Sequence, residues 1–373
     1  MPYCKQKCIY CDFYSGGNPD FETYLKAVAV ELAHRAGELR GDSLSSVYIG
    51  GGTPSLADAA RMGQFLDEVR ATLQQKGKGI AEDAEITIEV NPEDVTEENA
   101  RLWRKAGINR ASMGIQSLDD AELSFIKRWH TAKRALEALK NLKQHFNNVS
   151  VDVIYGIPGQ TPETLERTLD LIIEEAPQHI SAYVLTYEPR TPLEVLRRKG
   201  EIKEKSEEEY LELEGIVTRK LKEGGYERYE ISNYAMPGYR SRHNSGYWDG
   251  REYLGLGPSA SSFDGESVRR TNKANIKEYL KYWEEGARDI PFYEEERLGK
   301  REREMETIFT ALRRKEGIEM RSFEADYGTE RGERLLKRAR KWVENGKMTL
   351  KNGQLALSEK GIAIADYITG ELI

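Results

Sequence analysis

The sequence predicts an α/β fold in which a partial barrel precedes a small C-terminal domain. In the first two thirds of the chain, short β-branched runs alternate with longer amphipathic stretches, which is the pattern of βαβ units around a parallel sheet. Toward the C-terminus, charged helical stretches precede the pair Asn352-Gly353 between two short alternating runs, which indicates a hairpin. These observations predict a TIM-like α/β barrel, or an open portion of one, followed by a small winged-helix-like domain.

The elements of the barrel are expected in strand–helix order. Five runs rich in β-branched residues predict strands at 47–49, 85–90, 110–115, 150–155 and 181–186, and amphipathic stretches predict helices at 21–39, 58–73, 97–106 and 162–175. Charged helical patterns at 301–315 and 330–345 lead into the hairpin. We expect three domains: a core barrel at 1–225, a barrel extension at 226–290 and a C-terminal domain at 291–373.

The three cysteines of the chain all lie in its first eleven residues, as Cys4, Cys8 and Cys11 in the spacing C-x3-C-x2-C. A structural zinc site normally has four Cys or His ligands, and the nearest histidine is His34. A 4Fe–4S cluster has four iron corners, so three thiolates leave one corner open for another ligand. The spacing therefore predicts a 4Fe–4S cluster. Another metal is the alternative, and an odd number of thiols argues against disulfide bonding.

The composition excludes several classes of protein. The 373 residues include 56 Lys and Arg against 63 Asp and Glu, a net charge of −7, so bulk electrostatics gives no indication of nucleic-acid binding. No stretch approaches the roughly 18 apolar residues that span a bilayer, and the N-terminus has no apolar signal-peptide core. Cysteines kept as metal ligands fit a reducing compartment, so we expect a cytoplasmic protein with no membrane span.

Residues suited to ligand binding stand at the ends of the predicted strands. The glycines at positions 50–54, Gly-Gly-Gly-Thr-Pro, let the backbone approach a ligand closely. Glu89 is suited to accept hydrogen bonds from ribose hydroxyls, Gln116 offers an amide, and Arg128 offers a guanidinium for a carboxylate. Asp152 is a further strand-borne acid, although a lone Asp in a strand is often only a satisfied polar group. Active sites of α/β barrels lie at these strand ends, so the set predicts one ligand site.

These segments, taken in order, resemble the oxygen-independent coproporphyrinogen III oxidase family of radical S-adenosylmethionine (SAM) proteins, over essentially the whole chain. The resemblance implies a partial (βα)6, TIM-like barrel. It further implies that the free iron of the cluster binds the amino and carboxylate groups of SAM, and that an electron from a donor cleaves SAM to a 5′-deoxyadenosyl radical. It also implies that SAM is bound by Tyr10, Gly51, Gly52, Thr53, Glu89, Gln116, Arg128, Asp152 and Thr186.

Within that family, the sequence resembles the HemW-type heme chaperones more than the decarboxylating oxidases. The oxidases carry a further cysteine at the position of Phe13 and a long extension before the cluster, whereas three residues precede Cys4 here. The segment Arg242–Trp248 matches the HNxxYW motif of the chaperones. The resemblance implies that heme is bound with His243 as a ligand and passes to an acceptor protein whose identity the sequence does not give. A packed loop with a hydrogen-bonded His243 is the alternative.

Two departures from the family affect these expectations. The chaperones have a strand directly before the first cluster cysteine, so here that strand is absent or lies upstream of residue 1. Ser261 stands where many members have histidine, so a second heme ligand is missing. Two other functions stay open. One is a radical SAM enzyme, such as the porphyrinogen decarboxylase, and the other is an electron-transfer iron–sulfur protein, which would need no SAM pocket.

Overall fold

The structure is a computed structural model that describes residues 1–16, 20–286 and 290–373. Its strands are β1 (Ser43–Ile49), β2 (Gly79–Val90), β3 (Arg110–Gln116), β4 (Val149–Tyr155), β5 (His179–Val184), β6 (Glu227–Arg228), β7 (Asn233–Ala235), β8 (Ser261–Phe263), β9 (Val268–Asn272), β10 (Tyr293–Arg297), β11 (Ile318–Glu319), β12 (Met348–Lys351) and β13 (Gln354–Leu357). Its helices are α1 (Phe21–Arg35), α2 (Ala59–Gln75), α3 (Glu97–Lys105), α4 (Asp120–Phe125), α5 (Ala132–His145), α6 (Pro162–Glu175), α7 (Pro192–Arg198), α8 (Glu207–Glu223), α9 (Arg242–Trp248), α10 (Ile276–Glu284), α11 (Lys300–Arg313), α12 (Met320–Tyr327), α13 (Thr329–Glu344), α14 (Glu359–Ile362) and α15 (Ala365–Leu372).

A parallel sheet forms the first part of the molecule, which confirms the predicted α/β fold. Its strand order is β1-β2-β3-β4-β5-β7-β6, and the pairs from β1 to β5 are parallel. The last two strands are short and antiparallel, because the chain after α8 turns back against β5 as a hairpin. The described residues therefore place five parallel strands in the sheet, where a (βα)6 barrel would have six.

The two faces of this sheet differ in chemistry. On β3, Ala111, Met113 and Ile115 are fully buried in the hydrophobic core beneath the helices. The alternate positions of the same strand, including Arg110 and Gln116, line a cavity on the other face. Because side chains alternate between faces along a strand, one face holds the core and the other is free to carry polar groups for a ligand.

Several predicted element ends differ from the structure, most of all at the start of β2, which begins at Gly79 rather than at residue 85. The helix predicted at 21–39 ends as an α-helix at Arg35 and continues as a 3-10 turn, Ala36–Glu38. The strand predicted at 181–186 ends at Val184, so Thr186 lies in the loop that follows. Residues 1–3 form no strand. Instead, the backbone N–H groups of Gly52 and Thr53 donate to the carbonyls of Met1 and Tyr3, so this segment runs beside the glycine turn.

The C-terminal part contains the predicted hairpin. Strands β12 and β13 are antiparallel, and Asn352 and Gly353 between them have φ values of 53° and 78°, as a tight hairpin turn requires. Helices α11 to α13 pack on this hairpin around a separate core that includes Phe323 and Trp342. The sheet order β11-β13-β12 with these helices is the winged-helix-like arrangement that the sequence predicted.

The predicted domain boundaries remain predictions. Strand β10 follows the boundary drawn at residue 291, yet it pairs with β9 of the extension, and residues 287–289 beside that boundary lie outside the described ranges. The C-terminal domain contacts the extension through an ion pair of Arg240 with Glu316 at 2.7 Å and another of Arg314 with Asp249. Among the described helices, none combines the length and the apolar character needed to cross a membrane.

Candidate functional site

A cavity of about 1260 Å3 opens on the polar face of the sheet. It is bounded by the cysteine segment, the strand ends β1 to β5, helix α8 and the loop and start of α15 in the C-terminal domain. Twelve predicted site residues line it: Cys4, Cys8, Tyr10, Cys11, Gly51, Gly52, Thr53, Glu89, Gln116, Arg128, Asp152 and Thr186. His243 is absent from the lining, although its neighbour Asn244 contributes to it. The structure thus brings the expected cluster and SAM residues together and sets His243 apart.

The three cysteines are half-buried free thiols on the cavity wall. The Thr53 hydroxyl donates to Cys4 Sγ at 3.5 Å, and Arg128 Nη1 donates to Cys8 Sγ at 3.7 Å. Burial raises the pKa of the Cys11 thiol, an effect that a hydrogen bond from the backbone of Phe13 opposes. Donors and a guanidinium aimed at sulfur stabilise thiolates, which is the form that binds iron.

The described residues contain no group of three His, Cys, Asp or Glu side chains that converge to hold a single metal ion. Ligands of a 4Fe–4S cluster need no such convergence, because each thiolate binds a different iron. Three thiols on one cavity wall, with donors aimed at two of the sulfurs, therefore suit a cluster. Tyr10 lies between them, and burial first, then the nearby Cys8, raises the pKa of its phenol, so the hydroxyl stays protonated.

The glycine turn needs glycine for two separate reasons. Gly51 has a φ of 117°, a backbone conformation that residues with a side chain rarely adopt. A Cβ at Gly50 would lie 2.7 Å from the Tyr48 ring and 2.9 Å from the Glu89 carboxylate. The turn is thus packed directly on the polar strand ends, and the N–H of Gly51 donates to Glu89 Oε2 at 2.9 Å.

Glu89 is a half-buried carboxylate that accepts a hydrogen bond on each oxygen. Besides the bond from Gly51, the Tyr48 hydroxyl donates to Glu89 Oε1 at 2.8 Å. Burial raises the pKa of Glu89, and these two hydrogen bonds act in the opposite direction. Two donors leave further lone pairs of the carboxylate available to a ligand in the cavity.

Arg128 joins the cysteine segment to the ends of β2 and β3. Its Nη2 donates to Asn91 Oδ1 at 2.8 Å and to the Gly114 carbonyl at 2.6 Å, while Nη1 faces Cys8. Asn91 in turn donates to the Thr53 hydroxyl at 3.2 Å. Arg128 therefore holds the strand ends and a cluster cysteine in one network.

Gln116 stands at a strained strand end. Its φ is 69°, and the pairing of β3 with β4 shifts register between Gly114 and Gln116. A bulge and a positive φ at a residue with a side chain redirect that side chain and recur at functional sites. Here they direct Gln116 into the cavity wall.

Asp152 lies on β4, paired with Ser181 of β5. Burial raises the pKa of Asp152 to about 6; a hydrogen bond with Ser181 opposes the shift and the charge of Glu89 adds to it. Asp152 therefore titrates much closer to neutral pH than an ordinary Asp. Thr186 is exposed at the cavity, two residues beyond the end of β5.

His243 opens helix α9, behind Tyr48 as seen from the cavity. Its Nδ1 is 2.9 Å from the Ser46 hydroxyl and its Nε2 is 2.8 Å from the Tyr247 hydroxyl. Its ring stacks on Tyr48, with 4.8 Å between centroids and 19° between planes. Burial lowers the pKa of His243 to about 4.

Sequence reasoning missed three side chains of the site. Tyr48 contacts Glu89, Asn91 bonds Arg128, and Arg110 lines the cavity at 1% exposure with Nε and Nη1 unpaired within the described chain. The signal for Arg110 was period-2 alternation, since it lies an even number of residues before Gln116 on β3. For Tyr48 there was no such signal, because β1 carries none of the predicted site residues.

Comparisons with known proteins agree with this geometry. The sequence profile of the Radical SAM superfamily matches residues 1–172. The structure is similar to coproporphyrinogen III oxidase (HemN) from Escherichia coli, with a TM-score of 0.82 and 22% identity over 100% of this chain and 88% of that one, which shows a shared fold. The fold and the superfamily match define a radical SAM protein, which implies a 4Fe–4S cluster and SAM.

Curated relatives narrow the class further. The heme chaperone HemW of Bacillus subtilis (strain 168) is 30% identical over 331 residues, covering 88% of this chain and 86% of that protein. The heme chaperone HemW of Mycobacterium tuberculosis (strain H37Rv) is 32% identical over 383 residues, covering 100% and 93%. This chain therefore belongs to the HemW heme chaperone family.

Proposed function

We propose that this protein binds a 4Fe–4S cluster, SAM and heme, and delivers the heme to an acceptor protein. The observation that carries the proposal is the single cavity in which the three cysteines, the glycine turn and the polar strand ends meet. Its relatives are heme chaperones by name, and heme is the cargo that this name indicates.

In this proposal, Cys4, Cys8 and Cys11 hold the cluster, and Arg128 and Thr53 stabilise the thiolates. When bound, a 4Fe–4S cluster supplies one-electron chemistry at an iron that is open to an exogenous ligand. An electron donor protein would serve the cluster, and the reducing cytoplasm would keep the cysteines as thiolates.

SAM is proposed to lie between the cysteine segment and the strand ends. Gly51, Gly52 and Thr53 are proposed to lie at its methionine end. The N–H groups of these three residues are bonded to Glu89, Met1 and Tyr3, so the carbonyls of Gly51 and Gly52 are the backbone groups proposed to face SAM. Glu89 has lone pairs for ribose hydroxyls, and Asp152, Gln116 and Thr186 line the remaining wall. Tyr10 closes the site beside the cluster.

His243 is proposed as a heme ligand. A neutral imidazole is the form that ligates iron, and the lowered pKa keeps His243 neutral at any pH above about 4. Its Nε2 is hydrogen-bonded to the hydroxyl of Tyr247, a residue that is 40% exposed, so this bond lies at the surface and can be exchanged for iron. The Nδ1 bond to Ser46 would then fix the orientation of the ring.

The test is anaerobic reconstitution of the full chain, followed by parallel assays of heme binding and coproporphyrinogen III decarboxylation. We expect stoichiometric heme binding and no decarboxylation, because Phe13 stands where the oxidases have a cysteine. In His243→Ala, the heme Soret band should shift, whereas the exposed His34→Ala serves as the matched control and should leave it unchanged. Steady formation of protoporphyrinogen IX, with SAM and a reductant present, would overturn the chaperone proposal in favour of the oxidase.

A further inference from the structure

Exposed apolar side chains are concentrated at the mouth of the cavity. In the described part of the chain, eleven large hydrophobic side chains are exposed, and five of them line this one cavity. We call these five the apolar rim: Phe13, Tyr183, Val184, Leu211 and Tyr367. Phe13 is 72% exposed and Tyr367 is 62% exposed. Exposed apolar groups gathered at one opening are typical of a binding surface rather than of random exposure.

The rim belongs to two parts of the molecule. Phe13 follows the cluster cysteines, Tyr183 and Val184 end β5, and Leu211 lies on α8. Tyr367 comes from α15 of the C-terminal domain, and the preceding residues 362–366 also line the cavity. The mouth is therefore a cleft with apolar groups on both sides, which suits a flat ligand that offers a hydrophobic face to each.

Arg313 adds a positive charge to the same cleft. It lines the cavity from the end of α11, and its guanidinium lies over the Trp248 ring at 4.9 Å and near the Phe309 ring at 5.7 Å. It makes no hydrogen bond or ion pair with another described residue, and its Nε is buried without a partner. By contrast, Arg228 in the same cavity is bonded to Glu214 at 2.7 Å.

The charges around Arg313 leave it available to an anion. Glu230 is buried with its own hydrogen bond to the Ser232 backbone, and Arg313 acts on it only as a nearby charge. Asp366 lies exposed on the wall of the C-terminal domain. A ligand carboxylate would therefore turn toward Arg313 and away from Asp366, and a guanidinium binds a carboxylate through two parallel hydrogen bonds.

We propose that this cleft binds the face of a planar tetrapyrrole through the apolar rim, while Arg313 binds one of its carboxylates. The inference rests on the proposed heme-binding function and adds a site for the macrocycle that is separate from His243, which does not line this cavity, and states which part of the macrocycle is recognised. Pockets for one drug-sized ligand measure roughly 300–1000 Å3, and this cavity, at about 1260 Å3, has room beside SAM for a second ligand. Recognition here is of the ring and its acid groups rather than of iron, so a metal-free porphyrin is also bound.

The first test compares rim variants for binding of metal-free protoporphyrin IX, followed by porphyrin fluorescence on the reconstituted full chain. Leu211→Ser combined with Tyr367→Ser removes apolar groups from both sides and should raise Kd about tenfold or more. The matched control is Leu350→Ser, which changes a side chain of equal 45% exposure that does not line the cavity. Iron content and unfolding temperature are measured to show that all variants fold. Equal Kd values for the rim variant and the control would overturn the inference.

The second test concerns the carboxylate. Wild type should bind protoporphyrin IX about tenfold more tightly than its dimethyl ester, and Arg313→Gln should abolish this preference. Arg313→Lys should retain part of it, and Arg340→Gln, an exposed arginine outside the cavity, should leave it intact. Equal binding of acid and ester by wild type would overturn the role of Arg313 even without a variant. A wild type that binds neither heme nor porphyrin contradicts the proposed function, whereas one that binds heme but not the metal-free ring contradicts this inference alone.

Discussion

Replacing Tyr48 by Phe should weaken SAM binding and leave the surroundings of His243 unchanged. The Tyr48 hydroxyl donates to Glu89 at 2.8 Å, while its ring stacks on His243. Phenylalanine keeps the ring and removes only the donor. The substitution therefore separates the two contacts that this one side chain makes.

The size of the effect follows from the burial of Glu89. A hydrogen bond to a charged group contributes about 1.5–3 kcal/mol. Of the two donors to Glu89, the Tyr48 hydroxyl and the Gly51 N–H, the variant keeps the Gly51 N–H. The pKa of Glu89, already raised by burial, should rise further, because Tyr48 stabilises the ionised carboxylate. Ribose hydroxyls donate best to an ionised carboxylate, so SAM affinity should fall about tenfold or more at neutral pH. The loss should grow as the pH is lowered.

The measurement is calorimetric titration of SAM into the anaerobically reconstituted protein between pH 6 and pH 8. Tyr247→Phe is the matched control, since it removes the hydroxyl on the opposite side of His243 and leaves Glu89 with its two donors. The heme Soret band, recorded in parallel, should be the same for wild type and Tyr48→Phe. Unchanged SAM affinity and pH profile in Tyr48→Phe, or an equal loss in Tyr247→Phe, would refute the reasoning.

Three further predictions follow from the site. Cys8→Ala should lose the cluster, so that iron and sulfide fall well below the about four of each per chain expected of wild type; full retention would rule out this ligand. Arg128→Gln should lower cluster occupancy and weaken SAM binding more than Arg128→Lys does, because Asn91 and the Gly114 carbonyl lose their charged donor, at about 1–3 kcal/mol for each acceptor left unpaired; iron analysis and calorimetry decide this. The pKa of Asp152 is about 6 in the folded protein and about 4 in an unfolded chain, so the folded state takes up the proton first and the free energy of unfolding should fall as the pH rises through this window. The fall should be on the order of 2–3 kcal/mol, and denaturant unfolding of Asp152→Asn, compared with wild type, should lack it.

The sequence was informative where structure is decided locally. The strands at 85–90 and 150–155 were predictable because β-branched runs lie between turn residues, and the Asn352-Gly353 turn because two positive φ values select those residues. The sequence also predicts that Glu89 and Asp152 lie at the same edge of the sheet, because the carboxyl ends of parallel strands lie at one edge.

The sequence was less informative where two distant segments meet. The short strands β6 and β7 carry too few residues for a periodic signal, and their antiparallel pairing depends on how α8 returns the chain to β5. The sequence also does not predict that residues 362–367 line the cavity, because their position depends on the packing of the C-terminal domain. Tyr48 lies 41 residues before its partner Glu89, and only the register of β1 on β2 brings them together.

The same non-local contacts join the SAM site to the histidine. Glu89, the Tyr48 ring and the His243 imidazole form one chain of contacts from the glycine turn to α9. A ligand at Glu89 and an iron at His243 therefore act on opposite sides of a single side chain. By linkage, any factor by which SAM changes heme affinity through this chain is also the factor by which heme changes SAM affinity. Heme affinity with and without SAM, and SAM affinity with and without heme, must then give one coupling constant. The coupling would act through Tyr48. The Tyr48→Leu variant, which lacks the aromatic ring, should therefore give a coupling constant of one between SAM and heme binding.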